Sequence, residues 1–318
     1  MRWALALVSL GLLHCGADKA SAAPSRPESA GGATQTGSGG SGNVVISAPN
    51  GSAGSLIVPD TSGGSGGAAA TDDCSDAAKL VYVASDQNEL YSFAPNQLLF
   101  TKLGALSCGS KTVNSMAVDR SGTAWVNFSD GKIYKVNIAT LTCTPTTFVA
   151  QQGGFTKVLG MGFSANSPGS TDETLFVADN KGKGVGKVDL TSLKLTPLGP
   201  YTGDLAGSDA ELTGTGDARL FGFFTTSPAH FAAIDKASGA TPAATLLSTV
   251  DASSGGFAFS FWGGDFWFYT AKDTPTTSVT HYVSATQTAS VVLSDIGFTI
   301  VGAGVSTCAP VVPPPPPK

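Results

Sequence analysis

Three short polar segments of this 318-residue chain stand out as candidates for ligand chemistry. They are Asp119-Arg120-Ser121-Gly122, Glu211-Leu212-Thr213-Gly214-Thr215-Gly216-Asp217 and Phe261-Trp262-Gly263-Gly264-Asp265. Carboxylates gathered beside an aromatic ring make a small-ligand or cation site. On that reading the candidate ligand-binding residues are Asp119, Glu211, Asp217, Asp265 and an exposed Trp262. The competing reading is turn chemistry, because Gly and Asp are favoured wherever the backbone reverses. Other chemistry has less support. His230 and His281 fall on or near strand-like segments and read as partly exposed side chains. No Gly-x-Ser-x-Gly elbow opens a helix. The Gly214-x-Gly216 pair lacks the third glycine of a dinucleotide fingerprint. No catalytic residue and no cofactor is assigned.

Composition narrows the field further. Charged residues are 13% of the chain, the formal net charge is −5, and no basic run exists to track phosphates, so nucleic acid is excluded as a partner. Forty glycines, with abundant Ser, Thr, Val and Phe, point to an all-β protein.

A repeat supplies the elements that would position the polar segments. One unit recurs five times: a strand with a central aromatic, a polar turn, a second strand and another turn. The aromatics are Tyr82, Trp125, Phe176, Phe221 and Trp267, spaced 43, 51, 45 and 46 residues apart. In four units a further strand precedes the aromatic one, at 115–118, 159–163, 211–213 and 257–261. Four short antiparallel strands every 40–50 residues match a β-propeller blade. The first unit lacks its leading strand, and the chain ends with a spare one, Phe298-Thr299-Ile300-Val301. Pairing the two closes a five-bladed ring and removes an exposed sheet edge. Six blades remain open if the interval 164–173 hides further strands, and a β-sandwich or solenoid is the competing fold.

The ends of the chain read differently. Residues 3–13 form an apolar run too short to span a bilayer and of the right size for a signal peptide. The run stops at Leu12-Leu13-His14-Cys15-Gly16, which resembles a bacterial lipobox, so residues 1–14 are read as the signal and Cys15 as the lipidated residue. An ordinary secretory signal cut after Ala20-Ser21-Ala22 is the alternative. Residues 15–73 are then an anchor and a flexible Gly/Ser-rich linker reaching about 40 Å. The propeller domain covers 74–308, and residues 309–318 form a proline-rich tail. That tail reads as a solvated polyproline II end, with docking in an aromatic groove as the other reading.

Four cysteines fall in the domain: Cys74, Cys108, Cys143 and Cys308. An even number in an exported domain implies disulfides. Ring closure favours Cys74 with Cys308, leaving Cys108 with Cys143. None lies close enough to another in sequence for a zinc site, so no metal is assigned.

The segments Met116-Ala117-Val118-Asp119, Ala124-Trp125-Val126, Glu211-Leu212-Thr213-Gly214, Phe261-Trp262-Gly263-Gly264-Asp265 and 301–308 resemble a family of uncharacterised myxobacterial lipoproteins. The resemblance covers most of residues 74–310. It implies a cell-envelope setting and no particular activity. More loosely, the blade is similar to streptogramin-lyase-like propellers, whose chemistry needs a His/Glu metal site near the axis. The sequence offers no such cluster. The expectation is therefore a non-enzymatic envelope module that binds a protein, glycan or small ligand, with a propeller lyase or hydrolase as the alternative. Attachment to a membrane is through the lipid. By resemblance to bacterial lipoprotein sorting signals, Gly16 in place of a retaining Asp implies the outer membrane; a secreted or periplasmic location is the alternative.

Overall fold

The computed structural model describes residues 74–109, 111–252, 255–272 and 276–314. The signal run, Cys15 and the Gly/Ser-rich stretch lie outside them. The described strands form five four-stranded antiparallel sheets. Blade 1 contains β1 (Val81–Ser85), β2 (Glu89–Ala94) and β3 (Leu99–Ala105). Blade 2 is β4 (Val113–Val118), β5 (Thr123–Phe128), β6 (Ile133–Asn137) and β7 (Cys143–Pro145). Blade 3 is β8 (Leu159–Ala165), β9 (Glu173–Asp179), β10 (Val185–Val188) and β11 (Leu195–Gly199). Blade 4 is β12 (Ala210–Gly214), β13 (Leu220–Phe224), β14 (Ala229–Ala233) and β15 (Ala244–Leu247). Blade 5 is β16 (Phe257–Trp262), β17 (Asp265–Thr270), β18 (Ser278–Val283) and β19 (Thr288–Leu293). The last strand, β20 (Ile300–Val305), returns to blade 1 and pairs with β1, Tyr82 opposite Gly304. This is a five-bladed β-propeller closed by both ends of the chain.

Closure differs from the sequence reading by a few residues. The closing strand starts at Ile300 rather than Phe298: the Phe298 carbonyl accepts from the Thr277 amide at 2.9 Å, outside the β1 ladder, and its ring stacks on Tyr91 with centroids 4.0 Å apart. The interval between β8 and β9 holds only a loop, so no sixth blade forms.

The five aromatics explain how the blades stack. Each is buried in the apolar cluster between its own blade and the next. Tyr82 packs with Met116 and Val126 of blade 2. Trp125 packs with Phe163 and Leu175 of blade 3. Phe176 meets Leu212 and Leu220 of blade 4, and Phe221 meets Phe259 and Phe266 of blade 5. Trp267 completes the circle against Val81, Phe93 and Val305 of blade 1. The aromatic strands are buried on both faces, whereas the outermost strands, such as β3, are largely exposed. Burial of apolar area at every interface is the dominant favourable contribution.

A ring of five blades brings the inner strands, β20, β4, β8, β12 and β16, into close contact. Glycine makes that approach possible. A Cβ at Gly160 would lie 2.1 Å from the carbonyl oxygen of Ala210, and one at Gly302 would lie 3.0 Å from the Cα of Ser115. Two disulfides lock the domain, Cys74–Cys308 and Cys108–Cys143, with Cα atoms 5.8 Å and 5.1 Å apart. Such bonds are the mark of an oxidising, extracytoplasmic compartment. Among the described residues no helix is long and apolar enough to cross a membrane.

Candidate functional site

The inner strands all run in the same sense around the axis, so the ring has a leading mouth, where they begin, and a trailing mouth, where they turn into the aromatic strands. Asp119, Asp217 and Asp265 belong to the trailing turns. Glu211 does not. It is the second residue of β12 and pairs with Phe223, which puts it at the leading mouth. The five candidate residues therefore do not share one mouth. Register along β12 separates Glu211 from Asp217.

Two trailing carboxylates serve their own turns. Asp119 accepts hydrogen bonds from the Ser121 hydroxyl (2.6 Å), the Thr123 amide (3.0 Å) and the Trp125 indole (3.0 Å). Asp217 accepts from the Thr215 hydroxyl and from Arg219, whose Nε lies 3.0 Å away and Nη2 2.9 Å. Burial pushes the Asp217 carboxyl up, but hydrogen bonds from Arg219 and Thr215 and the Arg219 charge outweigh it and hold the group below its ordinary value.

Beside these turns the termini are tied to the ring. Glu173 accepts from the Arg120 amide (2.8 Å) and from the Thr307 hydroxyl (2.8 Å). The Arg120 guanidinium donates to Thr307 Oγ1 and to Cys74 Sγ, both at 3.3 Å. Burial pushes the Glu173 carboxyl up to about 7, with the Arg120 amide and Thr307 hydroxyl pulling the other way.

At the leading mouth Glu211 is 5% exposed and its Oε2 accepts from the Ser115 hydroxyl at 2.7 Å, across from blade 2. Burial raises its carboxyl well above the ordinary value. The cavity beside it holds only about 160 Å³, bordered by Asn114, Phe257 and Val301.

Asp265 is different, because it opens onto a groove at the seam between blades 5 and 1. Gly263 and Gly264 take φ values of +69° and +87°, the two-residue primed turn that the Trp262–Asp265 hairpin requires. Asp265 Oδ1 accepts from the Ser284 amide (2.9 Å), and Oδ2 lies 2.9 Å from His281 Nε2. The His281 ring stacks on Trp267, centroids 4.0 Å apart and planes within 5°. Trp262 is 8% exposed, not an open ring: its indole donates to the Lys79 carbonyl at 2.7 Å, so the start of the domain covers it. Trp262, Asp265, Trp267 and His281 line a cavity of about 360 Å³ with Asn96 and Pro313. A wider cavity of about 680 Å³, between blades 1 and 2, has no Asp, Glu or His among the described residues of its lining, and the Tyr82 hydroxyl there donates back to the Ala77 carbonyl. Among the described residues no group of three or more His, Cys, Asp or Glu side chains is placed to hold a metal.

Sequence reasoning named Asp265 and Trp262 as candidates but not His281, which the structure places beside Asp265. His281 read as a lone strand residue. The signal was present: an antiparallel hairpin pairs Trp267 with His281, which brings the ring beside an Asp two residues earlier.

No protein-family model matches the chain, and no curated protein matches it. Among solved structures it is similar to a catalytically inactive virginiamycin B lyase from Staphylococcus aureus crystallised with quinupristin, at 14% identity and TM-score 0.41 over 70% of this chain and 72% of that one. It is also similar to a chain of a Mitotic Checkpoint Complex, at 11% identity and TM-score 0.39 over 71% of this chain and 63% of that one. A protein of unknown function from Bacteroides caccae is similar at 10% identity and TM-score 0.45, over 71% of this chain and 97% of that one. These likenesses concern fold alone. The class defined by the strand order is a five-bladed β-propeller with a disulfide across its closing seam.

Proposed function

We propose that this protein is a non-enzymatic binding module of the bacterial cell envelope, exported and held by a lipid on Cys15, that takes its ligand in the groove between blades 5 and 1. The observation that carries the reading is the convergence of Trp262, Trp267, Asp265 and His281 on one cavity of about 360 Å³. Apolar walls with a few fixed polar groups are the usual makeup of a small-molecule or peptide site. The linker would let the head stand about 40 Å from the membrane. The two disulfides support an extracytoplasmic setting. The outer membrane is the location favoured by Gly16.

A lyase or hydrolase is the second reading, and one observation favours it: an imidazole oriented by a carboxylate is half of an acid–base device. The groove's own makeup argues against it. Among the described residues Asp265 and His281 are its only Asp, Glu or His, they engage each other, and no Ser, Cys, Thr or Lys lines it as a nucleophile.

The test uses immobilised wild-type protein and the His281→Ala and Asp265→Asn variants, each exposed to the same cell-envelope extract. A component retained by wild type and lost from both variants, and eluted chemically unchanged, is the expected result. Equal retention by all three removes the groove as the site. Elution of a cleaved product shifts the assignment to the enzymatic reading.

A further inference from the structure

The proline-rich tail does not leave the domain as a free end. The Gly263 amide donates to the Pro310 carbonyl at 2.8 Å, and Ala309 is buried in the cluster that contains Trp262 and Trp267. Beyond that clasp the chain crosses the bare Gly263-Gly264 turn. A Cβ on Gly264 would stand 3.2 Å from the Val311 oxygen and 3.5 Å from Pro313 Cδ, and one on Gly263 would stand 3.8 Å from Pro314 Cδ. Pro313 and Pro314 then form a wall of the groove, facing Pro95, Leu98, Val292 and Trp267. The sequence continues Pro315-Pro316-Pro317-Lys318.

We propose that this seam is a polyproline-recognition site that the chain's own tail already engages through residues 311–314, with Pro313 and Pro314 as one wall of the remaining groove. The inference rests on the groove being the binding site and names the ligand chemistry it accepts. Three physical arguments carry it. A proline run is already in the polyproline II helix, so docking costs little conformational entropy, and aromatic-lined grooves are its usual receptors. Proline offers carbonyl acceptors and no N–H, and the groove holds the Asn96 side-chain amide as a donor group. The Cys74–Cys308 bond fixes the chain just before the tail, so the tail competes for the groove at an effective concentration on the order of millimolar. The groove is thus capped in cis, and an incoming ligand has to displace the cap.

The experiment compares the full chain with a full-chain variant carrying Pro313→Ser, Pro314→Ser, Pro315→Ser, Pro316→Ser and Pro317→Ser. The probe is the free peptide Val-Val-Pro-Pro-Pro-Pro-Pro-Lys with a fluorescent label. The expected result is a peptide affinity at least about 10-fold higher for the serine variant, as removal of a tethered competitor requires. The Trp262 and Trp267 indole N–H resonances should shift between the two proteins while that of Trp125 stays fixed. A nitroxide on a Lys318→Cys variant supplies a measurement in the native tail and should broaden the Trp267 indole signal. Unchanged indole resonances together with equal peptide affinity overturn the proposal, as does an unbroadened Trp267. If the peptide fails to bind the serine variant while an envelope component still binds through His281, the groove reading stands and the polyproline assignment falls.

Discussion

The His281 imidazole is held on two sides, with Nε2 2.9 Å from Asp265 Oδ2 and its ring stacked on the Trp267 indole at 4.0 Å. One side chain thereby joins the trailing turn of blade 5 to the aromatic that seals blade 5 against blade 1. Removing it should disturb the groove more than the fold. His281→Ala is expected to cost about 1 kcal/mol in stability, the usual worth of one aromatic stack, and to alter tryptophan emission. Denaturant unfolding with fluorescence checks both. A loss beyond about 3 kcal/mol would mean that His281 is a core residue rather than a groove residue.

Stability should depend on pH through two carboxyls whose ionisation is disfavoured by burial, Glu211 fully and Glu173 in part. Glu173 is raised to about 7 and Glu211 well above its ordinary value, so both keep protons in the folded state that the unfolded chain releases near 4.5. At these two groups the folded protein binds more protons, so their contribution to stability is full below about pH 4.5 and is lost as pH rises through about 7 and above. Glu173 is partly exposed, so its share is on the order of 1–2 kcal/mol after screening by solvent. Glu173→Gln should flatten this part of the decline between pH 4.5 and 8, with Glu211→Gln flattening what remains. Thermal unfolding across that range is the measurement, and a wild-type stability that rises steadily to pH 8 contradicts the assignment.

The close inner ring makes a second stability prediction. Gly160→Ala places a methyl against the Ala210 carbonyl, at a backbone contact that cannot rotate away. The cost should be about 3 kcal/mol or more, through displacement of β8 from β12. Gly122→Ala has a positive φ of 78° but open space around it, so it should cost only about 1 kcal/mol. Equal losses for the two would mean that the inner strands are not packed as described.

The two disulfides should differ in weight. Cys74–Cys308 spans 234 residues and Cys108–Cys143 spans 35. In the chain-entropy account their stabilisation is on the order of 5 and 4 kcal/mol respectively. Paired Ser replacements, compared by chemical unfolding, should rank in that order. The reverse order would place the weak point of the domain in blade 2 rather than at the closing seam.

Much of the fold was legible because a propeller repeats one local pattern. Tyr82, Trp125, Phe176, Phe221 and Trp267 recur at a nearly constant interval, and each fills the same interface, so spacing alone aligned them. The Cys74–Cys308 pair followed from closure. The site was less legible, for reasons of register and long-range cover. Glu211 and Asp217 are six residues apart and lie at opposite ends of one strand, which a motif spanning both conceals. Trp262 sits next to a Gly-Gly turn, which in sequence suggests exposure, yet Lys79 from the other end of the domain covers it. His281 and the tail prolines became visible only when the hairpin of β17 and β18 and the return of the chain past Cys308 were both in place.

The central claim is that ligand enters the seam between blades 5 and 1. The most direct measurement is an amide and indole NMR titration of the isotope-labelled protein with soluble cell-envelope extract. The account predicts shifts that concentrate at Asn96, Trp262, Asp265, Trp267 and His281. Shifts confined to the leading mouth around Asn114 and Glu211, or to the cavity between blades 1 and 2 around Ser75 and Thr140, would contradict it.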